Sequence, residues 1–177
     1  AEYRNYAADI TRTFPANGRF TKEQRALHDL VGAAQAAALE QVRPGVPYEA
    51  IHEAAVRTLT EGLLHLGLLK GGLEKNIAEG HYRRYYRHKS GHWLGLDVHD
   101  VGDYRIDGQS RLLEPGMVLT IEPGLYIPPD DTTVAAKWRG IGIRTEDDVL
   151  VTGDGHRVLT EGLARSADEI EAFMAGA

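Results

Sequence analysis

Four separated segments carry the side chains that could do chemistry: Asp9 in ADITRTF, His92 and His99 in HWLGLDVHD, Glu122 in IEPG and Glu146 in IRTEDD. Three carboxylates and an imidazole, each beside a strand-like run or a tight turn, are the donors that a pair of divalent cations needs. Hard cations want oxygen ligands, and a paired site needs carboxylates able to bridge. Such a site normally draws on one more carboxylate. Glu122 is the most telling: the apolar run Val118–Ile121 delivers it onto the Pro123–Gly124 turn. A carboxylate at the end of a buried run needs a charged partner or a metal. Asp9, in mid-strand, has a plainer alternative as an edge-strand carboxylate paired with Arg12. Arg144 shares a strand face with Glu146, either as an ion-pair partner or as a group that holds a metal-binding carboxylate in place.

The two histidines need a bend. On a straight strand His92 and His99 would lie on opposite faces and more than about 20 Å apart, so they serve one cleft only if Gly91 and Gly95 let the backbone turn. His88, four residues before His92, is placed to line the same cleft. His28, His52, His65 and His156 lack this context and are read as structural.

The elements that must position these groups follow from periodicity and punctuation. Tyr6–Phe14 reads as a strand ended by Pro15, Asn17 and Gly18. Thr21 and Gln24 form a capping box for a helix to about Gln41, with Leu27, Leu30, Val31, Ala34 and Ala38 as its apolar stripe, stopped by Pro44–Gly45. A second helix is expected from about Tyr48 to Leu66, burying Ile51, Ala55, Leu59 and Leu63. Short strands follow: an extended Leu94–His99, Val118–Glu122, and a long Ile141–Val151 strand with Gly142, Arg144 and Glu146 on one face. A last helix opens on the capping box of Ser166 and Glu169. The fold class is therefore α+β. No repeat, low-complexity linker or glycine-rich nucleotide motif is visible.

Composition narrows the function. At 177 residues the chain can bury one real core. A net charge of -6 argues against nucleic acid and anionic membrane surfaces; the basic, tyrosine-rich stretch 81–89 (HYRRYYRHK) is read as lining a cleft or packing on a neighbouring domain. No cysteine is present, which excludes disulfides and thiol catalysis and fits a reducing cytoplasm. No run of apolar residues is long enough to span a membrane. Ala1–Arg4 reads as the middle of a hairpin, so the chain is expected to be part of a longer one.

Taken together, YAADITRTFP, HKSGHWLGLDVHDVG, LEPGMVLTIEPGLYI and RGIGIRTEDDVLVT resemble the C-terminal catalytic half of the pita-bread metallopeptidases, and among them the Xaa-Pro aminopeptidases (aminopeptidase P). The resemblance covers essentially all of residues 1–177. It implies an N-terminally truncated pita-bread fold, with helices packed on a curved, mostly antiparallel sheet. It also implies two divalent metal ions, manganese before cobalt or zinc, held by Asp9, His92, Glu122 and Glu146 together with an Asp that lies before Ala1. His99 would assist the tetrahedral intermediate, His88 would line the substrate pocket, and Arg144 would stand behind the metal ligands. The implied reaction is hydrolysis of the N-terminal Xaa-Pro peptide bond by a metal-bridging water or hydroxide, with Glu122 passing the proton to the leaving nitrogen. The implied partners are peptides with proline second, the missing N-terminal part of the same protein, and further copies in a homo-oligomer. The alternatives are an Xaa-Pro dipeptidase (prolidase) and a metal-dead relative serving as a binding or scaffold module. The 177-residue chain alone is expected to be inactive.

Overall fold

The computed structural model describes residues 2–176. It opens on the hairpin β1 (Glu2–Tyr3) and β2 (Tyr6–Ala7), whose two turn residues, Arg4 and Asn5, both have positive φ. That is the tight turn matching the natural twist of a two-stranded ribbon. Thr21 caps α1 (Lys22–Leu39) with both bonds of the expected capping box in place. A second long helix, α2 (Tyr48–His65), lies against it. Leu27, Val31, Ala34, Leu59 and Leu63 are completely buried along the α1–α2 face, and each buried leucine is worth about 1.5–3 kcal/mol of transfer free energy. Gly62 sets how closely the helices approach: a Cβ there would stand 2.2 Å from Leu30 Cδ1.

A short α3 (Leu73–Ala78) and the turn of 3-10 helix His81–Arg84 lead into the strand-rich half. There β3 (Arg105–Ile106) pairs with β4 (Gln109–Ser110). The strand β5 (Val118–Ile121) pairs with β8 (Asp147–Val151), which also pairs with β9 (His156–Val158). Between them, β6 (Gly124–Tyr126) pairs with β7 (Gly142–Arg144). The last element, α4 (Ala167–Ala175), carries the second expected capping box, Ser166 with Glu169.

The expected curved sheet is not formed. The described strands make four separate antiparallel sheets of two, two, three and two strands, and no strand order closes on itself. The reason lies in the carboxylates and the proline. The long Ile141–Val151 strand divides into β7 and β8 because its partner chain divides too, at Glu122–Pro123, and proline has no N–H to continue a ladder. The register is nevertheless the same on both sides: Ile121 faces Asp147 and Gly124 faces Arg144. Glu122 therefore stands opposite Glu146 where the ladder opens. The expected Tyr6–Phe14 strand is likewise reduced to β2 and a single bridge between Thr11 and Glu146.

Two cores support this half. The α1–α2 face packs with Tyr82, Tyr85, Tyr86, Leu125, Ile127 and Trp138. Ala38, Val42, Ile51 and Ala55 pack with Trp93, Leu119, Ile121, Val149 and Val151. The inner faces of β5 and β8 are thereby anchored to the helices, and the carboxylates at the strand ends inherit that rigidity.

Candidate metal centre

The segment carrying His92 runs alongside β5. Thr120 N donates to His92 O (2.9 Å), His92 N donates to Thr120 Oγ1 (3.1 Å) and Leu94 N donates to Val118 O (3.1 Å). Gly91 permits this approach rather than a turn, since a Cβ there would lie 2.0 Å from Thr120 O. The turn comes at Gly95, where Gly95 N donates to Asp97 O and Asp100 N reaches back to Trp93 O. The chain folds over itself, and the His92 and His99 rings meet edge to face at 4.3 Å. Of the two glycines proposed to bend the chain, Gly95 does so.

Two clusters of donor atoms result, each with all its atoms within 4.8 Å of one another: Asp9 with His92 and His99, and His92 with Glu122 and Glu146. His92 Nε2 lies 3.5 Å from Asp9 Oδ2 and 3.7 Å from Glu122 Oε1. Its Nδ1 sits 2.9 Å from Trp93 O, so Nδ1–H donates to the carbonyl and Nε2 is the ring nitrogen left facing the carboxylates. That is the tautomer a metal-ligating histidine needs. The carboxylates crowd one another: burial first, and then Glu146, push the Glu122 carboxyl up to about 7. Burial and Asp9 also raise Glu146, against the bond donated by Thr11. Buried, mutually repelling carboxylates around an imidazole are the donor set that divalent cations satisfy. The two clusters sharing His92 fit a dinuclear site.

Side chains not singled out from sequence hold these groups. Thr11 Oγ1 donates to Glu146 Oε2 at 2.5 Å. The Asp148 carboxylate accepts from Asp9 N at 3.3 Å through both oxygens, and burial pushes its pKa up to about 6. Thr13 Oγ1 bonds both Arg144 N and Arg144 O. Thus 9–13 runs antiparallel to 144–148 with side chains standing in for most of the ladder. The signal was alternation: Thr11 and Thr13 follow Asp9 at strand period, and Asp148 follows Glu146.

Arg144 turns to Glu122, with Nη1 3.5 Å from Oε2, and not to Glu146 as the simple same-face ion pair would have it. Its Nε donates to Tyr126 OH (2.8 Å), and that hydroxyl donates to His88 Nε2 (2.9 Å) while His88 Nδ1 donates to Lys89 O. His88 thus joins the same cleft through Tyr126, which sequence reading missed four residues beyond Glu122. Burial lowers the His88 pKa, consistent with this neutral form. Arg12 does not pair with Asp9; its guanidinium goes to Asp147.

Comparison with known proteins gives a consistent picture. The sequence model of "Metallopeptidase family M24" matches residues 1–153. The Xaa-Pro aminopeptidase of Escherichia coli K12 is 49% identical over 176 residues, 99% of this chain and 40% of that protein. Xaa-Pro aminopeptidase 2 of Streptomyces coelicolor is 50% identical over 96% of this chain and 36% of its own length. The structure of Pseudomonas aeruginosa aminopeptidase PepP superposes with a TM-score of 0.98 at 56% identity, covering 99% of this chain and 40% of that one. The chain spans about two fifths of the length of these relatives.

Proposed function

This chain belongs to metallopeptidase family M24, and from that we propose that the intact protein is a dinuclear metallo-aminopeptidase that removes an N-terminal residue preceding proline. The observation that carries the reading is the pair of donor clusters sharing His92. The similarity to Xaa-Pro aminopeptidases over nearly the whole chain supports it. Residues 1–177 are then the C-terminal portion of the catalytic domain, and the rest of the protein supplies a further carboxylate. Asp9, His92, Glu122 and Glu146 are the proposed metal ligands, with manganese the expected ion and cobalt or zinc able to replace it.

Divalent ions in such a site supply Lewis acidity and a water-derived nucleophile at neutral pH. The chain's own residues do the rest. Glu122, held by Arg144 and facing His92, is placed to take a proton and pass it to the leaving proline nitrogen. A bond to proline offers no N–H to grip, so positioning must come from the ring and the flanking groups. His99, exposed at the mouth of the cleft, is placed to donate to the oxyanion as it forms. His88, Tyr126 and Arg144 form one wall.

The reading extends to a homo-oligomer, which exposed Tyr3, Tyr6, Leu96 and Val101 support, and to a cytoplasmic location, which the cysteine-free composition supports. No described helix is long and apolar enough to cross a membrane. The 177-residue chain alone should have little or no peptidase activity. The test compares turnover of Xaa-Pro-Yaa tripeptides and Xaa-Pro dipeptides by the full-length, manganese-loaded protein. Preference for the tripeptide is expected; strict preference for the dipeptide would make the protein a prolidase, and no turnover of either would leave a binding module.

A further inference from the structure

Arg12 is the most fully engaged side chain beside the metal centre, and nothing in the proposed reaction uses it. Its Nε donates to Ala164 O (2.9 Å), Nη1 donates to Thr11 O (2.9 Å) and Glu146 O (2.7 Å), and Nη2 donates to Asp147 Oδ1 (2.8 Å). Asp147 is completely buried and also accepts from Gln35 Nε2 (3.0 Å) and Thr160 Oγ1, while Arg165 Nε lies 3.2 Å from its Oδ2. Gln35, itself buried, donates a second bond to Ile121 O, the residue before Glu122. One network thus grips the main chain beside Asp9, at Glu146 and beside Glu122.

We propose that Arg12 is a positioning residue of the metal centre, setting the separation of the Asp9 and Glu146 segments and tying that separation to the C-terminal arm 160–165. The proposal rests on the dinuclear reading given above. Its physical basis is the weakness of the ladder between 9–13 and 144–148. A single bridge, Thr11 to Glu146, joins them as regular sheet, so ladder hydrogen bonds alone do not fix their spacing. A planar guanidinium can hold three carbonyls and a carboxylate at once, whereas a lysine ammonium in its place could keep the charge but not that fork. A mere charge partner for Asp147 would need only Nη2. The bonds to Glu146 O and Ala164 O are what join the Asp9 segment to the Glu146 strand and to the C-terminal arm, while the bond to Thr11 O fixes the guanidinium on its own segment.

The test uses the full-length protein and Mn²⁺ as probe. Binding is followed by titration calorimetry and by the exchange-coupled two-manganese electron paramagnetic resonance signal, beside the metal-free melting temperature. Arg12→Lys keeps a cation for Asp147 and is expected to melt close to the unmodified protein. Its Mn²⁺ affinity should nevertheless fall by about 10–100-fold, the usual cost of losing a group that orients metal ligands, and its coupled signal should weaken. Arg12→Met should show a larger loss in the same direction. A folded Arg12→Lys protein with unchanged affinity and an unchanged coupled signal would overturn the proposal. If Arg12→Lys does not fold, the network serves the fold alone and the positioning role is discarded. An unmodified protein that takes up no Mn²⁺ would instead remove the dinuclear reading, and this proposal with it.

Discussion

The two donor clusters that share His92 are built on unequal foundations. Glu122 and Glu146 face each other across an interrupted β-ribbon whose flanking residues, Ile121 and Asp147, are completely buried. Glu122 has 12% of its side chain exposed and Glu146 as a whole residue 2%. On the other side of His92, the Asp9 side chain is 30% exposed and His99 sits in a run, Leu96 to Gln109, that is exposed at every residue but Asp100. One position is preorganised by sheet register and helix packing; the other depends on the few side-chain bonds that hold the Asp9 segment, beside an exposed, folded-back loop. Ligands fixed by a sheet ladder are ordered during folding, whereas Asp9, on a weakly paired segment, loses its freedom when the ion arrives. The buried cluster should therefore fill first and more tightly.

Removing His92 should break the comparison altogether, because it is the one residue common to both clusters. In the full-length protein His92→Ala is expected to lower bound manganese from two equivalents to below one. Losing metal stabilisation of several kcal/mol corresponds to a fall in turnover of about 10³-fold or more. Elemental analysis after saturation checks the first part, and two retained equivalents would contradict it.

His99→Ala probes the exposed side alone. It should leave both ions bound and lower turnover by about 10²–10³-fold, the size of losing one transition-state donor. Because the His99 ring is within ligand range of Asp9 and His92, metal content is the deciding measurement. Loss of one equivalent would make His99 a ligand, and unchanged rate and metal content would make it structural.

The smallest effect concerns pH and the buried side. In the metal-free chain the Glu122 carboxyl is raised to about 7. Between its ordinary value and about 7 the folded chain keeps a proton that the unfolded chain has released. Its stabilising share is present at low pH and is lost as pH rises through about 7. Ion binding needs the carboxylate and releases that proton. Mn²⁺ affinity at the tighter position should rise up to about tenfold per pH unit below 7 and level off above it, and Glu122→Gln should flatten the rise. An unmodified protein with pH-independent affinity between 5.5 and 7 would show that Glu122 does not carry the proton that the ion displaces.

Much of this architecture was legible in the chain. Capping boxes at Thr21 and Ser166 and the apolar stripes of α1 and α2 marked the long helices, because local bonds and a 3.6-residue period depend on neighbours in sequence. Glu122 could be singled out because a buried run ending in a carboxylate needs a partner wherever it lies. The strands were less legible. Ile141–Val151 has continuous strand character, yet it changes partner at Glu146, since the break originates at Pro123, more than twenty residues earlier. The strand expected around Asp9 kept one bridge, with Thr11, Thr13 and Asp148 replacing the others.

By itself the sequence marked Asp9, His92, Glu122 and Glu146 as candidate ligands, the helices α1, α2 and α4, and Gly91 with Gly95 as places where the chain could bend. It did not mark α3 or His99's place in a donor cluster, and of the two glycines only Gly95 turns the chain. Only the tertiary structure decided the pairings: that Arg144 answers Glu122, that Arg12 leaves Asp9 for Asp147, that Tyr126 links His88 to the cleft, and that one donor cluster is buried while the other is open. Residue type and period are local properties of the chain. Which carboxylate a guanidinium reaches, and how dry that carboxylate is, depend on contacts between segments distant in sequence, which no local pattern encodes.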